Sequence, residues 1–186
     1  MSFDQPVTFS GKTPKKSLEL LMSLIAFGGR HVSERTLAAA LWPRAADPTQ
    51  ALATTLHRLR KLIGDEAIER QDGKLSLSPR HVWVDVWAFE HGLSALNAAC
   101  KAGGSASLAP LSEQLISLYG DGFLAGNSAA AWAQPIRAKL HAKLLRQLDA
   151  AALAMAQVGQ SSEAVSAYRS AQKHNTAITS GASLRQ

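Results

Sequence analysis

Apolar positions follow two periods along this chain, one near three and a half residues and one of two. Leu18, Leu20, Leu21, Leu24 and Ile25 stand at helical spacing and predict a helix from about Lys15 to Phe27, stopped by Gly28-Gly29. Ser33 is placed to cap a second helix, Glu34 to Trp42, whose apolar side is Leu37, Leu41 and Trp42 and which Pro43 ends. Asp47-Pro48 is a start signal, with the acid as cap and the proline in the first turn, where its missing N–H costs nothing. A third helix follows from Pro48 to Ile63, with Gly64 as its stop. The short period predicts strands at Val7-Thr8-Phe9, Ala67 to Arg70, Lys74 to Leu77 and Val82 to Val86. Asp72-Gly73 is a strong hairpin signal between the second and third of these. Three helices followed by a hairpin describe a helix-turn-helix elaborated with a wing.

The second half reads as helical. Helices are predicted over Val86 to Lys101, Leu108 to Tyr119, Ser128 to Val158 with a bend at Pro135, and Ser162 to His174. Gly103-Gly104-Ser105 reads as a linker, and Gly120, Gly122 and Gly126 as a loop around Phe123 and Leu124. Residues 176–186 carry weak periodicity and read as a loose tail.

The third helix has the most distinctive surface. At 100° per residue, Leu52, Leu56, Leu59 and Ile63 form one narrow stripe that must face a core. Gln50, Thr54, His57 and Lys61 lie opposite, Arg58 and Arg60 flank them, and no Asp or Glu occurs from Gln50 to Gly64. Phosphates attract such cations, and Gln, Thr, His and Arg can reach base edges in the major groove. A solvated amphipathic face would also carry arginines and lysines. Two features favour double-stranded DNA. The helix stands third in its unit, where a recognition helix belongs, and the hairpin behind it carries Arg70 and Lys74, placed to touch the adjacent backbone or minor groove.

Composition changes this picture little. Of the 186 residues, 46% are hydrophobic and 18% charged, enough to bury a core. Lys and Arg number 20 against 14 Asp and Glu, a balance compatible with nucleic acid. The excess is shared by both halves, 12 basic to 9 acidic residues over 1–87 and 8 to 5 over 88–186, so net charge does not locate a binding face. The lone Cys100 reads as a small buried thiol on a helix, without an internal disulfide or a zinc cluster. No signal segment or membrane-length apolar run is read, and the expected location is cytoplasmic.

The stretch Val32 to Gly64, VSERTLAAALWPRAADPTQALATTLHRLRKLIG, resembles the winged-helix effector domain of the OmpR/PhoB class. The resemblance rests on Ser33, Leu37, Leu41 and Trp42, then Arg58, Leu59, Arg60, Lys61 and Ile63. Val84-Asp85-Val86-Trp87-Ala88-Phe89-Glu90 is similar to the junction with a bacterial transcriptional activator domain, as in SARP-type and MalT-like regulators. Leu118-Tyr119, Gly122-Phe123-Leu124 and Trp132 also suit that domain. The resemblance implies sequence-specific DNA binding, with Thr54, Thr55, His57 and Arg58 towards bases and Gln50, Arg60 and Lys61 towards phosphates. It further implies contact with RNA polymerase through the loop Pro43 to Asp47, chiefly Arg44 and Asp47. Three departures bear on the target: Ala53 stands where an acid is common, Gln50 where Arg is common, and the wing reads Asp72-Gly73-Lys74-Leu75 without the usual Gly-Tyr.

Gly159 to Ala171 resembles a tetratricopeptide unit, with Gly159, Ala164, Tyr168 and Ala171 at the repeat's spacing. An ordinary helical hairpin with small-residue packing reads the same residues equally well. The expected fold class is therefore mainly α: a winged helix-turn-helix over residues 1–87, then an α-helical, TPR-like domain over 88–175. The chain reads as a shortened member of its class or a piece of a larger regulator, and self-association through the helical half stays open. No receiver is read ahead of the winged helix, so control is expected from a partner, from oligomerisation, from abundance or from further domains. No metal motif, phosphate-binding loop or nucleophile–base spacing suggests an enzyme, and no cofactor is expected. A protein-interaction module that lost DNA binding is the alternative. RNA binding is disfavoured because Trp42, Trp83, Trp87 and Trp132 read as core or interdomain packing rather than as exposed stacking platforms.

Overall fold

The computed structural model describes residues 14–103, 105–120, 122–123 and 131–157. The expected strand at Val7–Phe9, the helix at Ser162–His174 with its repeat-like motif, and the tail lie outside them. The chain divides into two compact units between Val84 and Asp85.

In the first unit, α1 is Lys15–Ala26, β1 Val32–Ser33, α2 Glu34–Leu41, α3 Pro48–Ile63, β2 Ile68–Gln71 and β3 Lys74–Leu77. Three helices and a three-stranded antiparallel sheet make a winged helix-turn-helix. The sheet order is β1-β3-β2, with Val32 opposite Leu75 and Ser33 opposite Lys74 on one side of β3. On the other side Ile68 faces Leu77 and Gln71 faces Lys74. Both α2 and α3 carry the expected caps. Ser33 Oγ accepts from the Thr36 N–H at 3.5 Å, and Asp47 Oδ1 from the Gln50 N–H at 2.9 Å. A cap of the second kind contributes on the order of 1 kcal/mol. The turn needs only Asp72 and Gly73, both at positive φ (49° and 69°), which suits the twist of a tight hairpin.

Leu20, Leu24, Leu37, Leu52, Leu59, Ile68, Leu75 and Leu77 are almost fully buried and fuse the inner faces of the helices with one face of the sheet. The alternation of β3 makes this work: Leu75 and Leu77 point inward while Lys74 is exposed.

One expected strand is corrected. Val82, Trp83 and Val84 form no strand, and a helix begins at Asp85. The Ser78 carbonyl accepts the N–H groups of both His81 and Val82 at 3.0 Å, a turn that carries the chain off the sheet. The third place in the sheet belongs to β1, two residues long and too short to show a period. Trp83, expected in packing, is 68% exposed.

The second unit is an α-helical, TPR-like bundle of α4 (Asp85–Ala102), α5 (Ser105–Tyr119) and α6 (Gln134–Gln157). Phe89, Leu93, Leu96, Leu108, Leu115, Ile116, Leu140, Leu144, Leu148, Ala151 and Met155 form its core. Gly92 permits the close approach of α4 to α5, because a Cβ there would sit 2.8 Å from a methyl of the buried Leu115. The Tyr119 hydroxyl lies 3.3 Å from His141 Nδ1 and its ring 5.6 Å from that of Phe89, so one side chain joins all three helices. Lys143 donates to Glu90 at 2.6 Å and ties α6 to α4.

Two boundaries move. Helix α5 starts at Ser105, inside the expected linker, and takes Pro110 into its body. Pro135 falls in the first turn of α6, where proline needs no bend, rather than at a kink.

Candidate nucleic-acid interface

Helix α3 is long enough, at about 24 Å for its sixteen residues, to lie along a groove. Leu52, Leu56 and Leu59 are buried beneath it. Gln50, Thr54, His57, Arg58 and Lys61 are exposed and share its outer side. No described residue engages their side chains. With no acid between Gln50 and Gly64, this face is a strip of donors and cations roughly 16 Å long.

The other residues singled out from the sequence have different surroundings. Thr55 is buried, and its hydroxyl donates to the Ala51 carbonyl at 2.8 Å, so it faces inward and cannot reach a base. Its position on the wheel, 60° from Leu52, already places it beside the core stripe. Arg60 turns sideways to the hairpin: its Nη2 donates to the Ile68 carbonyl at 2.7 Å, and its Nε is buried without a partner. That hydrogen bond tethers the last turns of α3 to the start of β2.

Arg70, at the other end of β2, is engaged by Glu34. Its Nε and Nη2 donate to Glu34 Oε1 and Oε2 at 2.6 and 2.8 Å, a bidentate pair. The hydrogen bonds and then the charge of Glu34 raise the guanidinium's pKa above its ordinary value, against a smaller opposing effect of burial. Lys74, next to the turn, is exposed. Glu34 is the residue that sequence reasoning missed. It reads as an ordinary acid in the first turn of a helix, and no local pattern announces a partner thirty-six residues away.

In the loop before α3, Arg44 and Asp47 are exposed, and the Asp47 carboxylate caps α3. Trp42, half-buried, anchors the loop's start with Lys16 Nζ 5.6 Å from its ring centre. Among the described residues, no group of three or more His, Cys, Asp or Glu is gathered to hold a metal. No helix among them is long and apolar enough to cross a membrane. In the second unit, burial pushes the Cys100 thiol pKa up, so it is a poor thiolate at neutral pH.

Residues 84–176 match the family model described as the bacterial transcriptional activator domain, half of the chain. Helices α4, α5 and α6 fall within that span. No curated protein matches the chain.

Proposed function

The chain belongs to the bacterial transcriptional activator domain family, and from that premise we propose that it is a sequence-specific, double-stranded-DNA-binding transcription regulator of the OmpR/PhoB winged-helix type. The family association suggests a regulatory, DNA-associated role. The observation that carries the finer reading is the exposed, acid-free face of α3, held outward by its own buried leucine stripe. An α-helix with its side chains is about as wide as the major groove, roughly 12 Å. In that position Thr54, His57 and Arg58 reach towards base edges, and Gln50 and Lys61 towards the flanking phosphates. Lys74 extends the contact from the hairpin. The exposed loop at Arg44 and Asp47 is the contact for RNA polymerase, and the helical unit supplies a surface for partners or for a second copy.

The test is selection of duplexes from a random pool by the whole chain, beside an Arg58→Ala, Lys61→Ala double variant. An enriched motif that the double variant loses is the expected result. No enrichment by a chain that circular dichroism shows to be folded would sink the reading and leave a protein-interaction module in its place.

A further inference from the structure

Two arginines that read as phosphate ligands on a wheel or a strand, Arg60 on α3 and Arg70 near the tip of the hairpin, are both engaged within the protein. Three bonds hold the tip. The Glu34 N–H donates to the Gly73 carbonyl at 2.9 Å, and the Glu34 carboxylate accepts from Nε and Nη2 of Arg70. The Glu34 side chain is only 11% exposed, so it has little water to fall back on if Arg70 leaves. It also opens α2, where the helix N-terminus favours its negative charge and holds it in place. The pair occupies the side-on edge of the guanidinium and fixes its plane against the start of α2, so the geometry of Arg70 is set by Glu34.

We propose that Arg70 is a positioning residue and not a DNA contact: it latches the hairpin turn to the N-terminus of α2 through Glu34, and so presents the neighbouring Lys74 to a DNA phosphate. The inference rests on the DNA-binding reading above and specifies how its wing works. Lys74 stands directly opposite both Gln71 and Ser33 in the sheet, so the register of β3 against β1 and β2 determines where its ammonium emerges. Breaking the latch removes two of the three bonds that hold the tip, leaving only the backbone bond to Gly73, and so loosens Lys74 from its phosphate, whichever of the two latch partners is changed.

Glu34 gives the experiment its discrimination. DNA affinity of the whole chain is measured across a salt series for the native protein, Glu34→Gln, Arg70→Gln, the double variant, and Lys74→Gln alone and combined with each single latch variant, each shown to be folded at the working temperature. One phosphate contact corresponds to about 0.9 in the slope of log K against log salt. The latch predicts that Glu34→Gln and Arg70→Gln each lose that amount, that the double variant loses no more, and that Lys74→Gln has no further effect in either background. Were Arg70 itself a phosphate ligand, Arg70→Gln would weaken binding while Glu34→Gln, by removing a competing acid, would leave it unchanged or strengthen it. That result overturns the proposal, as does an Arg70→Gln variant with native affinity and slope. A native chain with no salt-dependent affinity would instead sink the DNA-binding reading. The latch itself would then be judged on thermal midpoints, where non-additive losses for the two substitutions support it and additive ones refute it.

Discussion

Helices α3 and α6 carry similar numbers of basic residues and use them differently. Helix α3 has His57, Arg58, Arg60 and Lys61, and α6 has Arg137, Lys139, His141, Lys143 and Arg146. On α6, Arg137 donates to the Phe123 carbonyl at 2.9 Å, Lys143 pairs with Glu90, and His141 meets Tyr119. Its outward side mixes Lys139 and Arg146 with Ala142, Ala150, the 66%-exposed Leu153 and the acid Asp149. On α3 one cation, Arg60, is drawn into the fold, and the rest share an uninterrupted polar face. A count of basic residues would rank the two helices together. The outer faces separate them: each helix keeps two exposed Lys or Arg residues, but on α6 they stand among alanines, Leu153 and the acid Asp149, whereas on α3 no acid interrupts them.

The largest expected effect tests the apolar sides of the same two helices. Leu59 is fully buried under α3, so Leu59→Ala leaves a cavity and is expected to lower stability by about 2–5 kcal/mol. Leu153→Ala on α6 removes an exposed side chain and is expected to change stability by no more than about 0.5 kcal/mol. Denaturant titration of both variants checks this. Similar losses in the two would mean that Leu153 is covered in solution, and the contrast between the outer faces would fail.

Next in size is the contrast in charge. Removing Arg58 and Lys61 is expected to reduce DNA affinity by roughly tenfold to a hundredfold, with a shallower salt slope. Removing Lys139 and Arg146, the same number of exposed cations on α6, is expected to leave both affinity and slope unchanged. Fluorescence anisotropy with labelled duplex, run in parallel at several salt concentrations, distinguishes the two. Equal losses would make the binding a property of net charge rather than of one face.

The smallest effect concerns Tyr119 and has a definite sign. Burial raises its phenol pKa above the ordinary value, with Arg137 opposing, so the folded chain holds this proton more tightly than the unfolded one. Stability from the neutral phenol is fully present below the unfolded value of about 10 and is lost as pH rises from there through the folded value. Stability of the native protein is therefore expected to fall more steeply above about pH 10 than that of Tyr119→Phe. Parallel curves for the two proteins would show that the hydroxyl is well solvated.

Much of the first unit is legible in the chain. Asp47-Pro48 and Gly64 mark both ends of α3, and the leucine period marks its inner face, because capping and periodicity are local properties. Asp72-Gly73 marks the hairpin for the same reason. The strand misread at Val82–Val86 has the right alternation, but alternation does not supply a ladder partner, and that place in the sheet was taken by Val32–Ser33. The resemblance places Thr55 on the reading face, although its own angle on the helix puts it beside the core, where it is buried.

Periodicity, caps and turn residues thus determined which segments are helices, where α3 begins and ends, and which of its sides is polar. They act over a few residues and need no knowledge of the rest of the chain. Only the tertiary structure decided which of the basic residues on that polar side and on the hairpin remain available. Arg60 and Arg70 are claimed by a carbonyl eight residues away and a carboxylate thirty-six residues away, and pairings over such separations exist only once the sheet has closed on the helices.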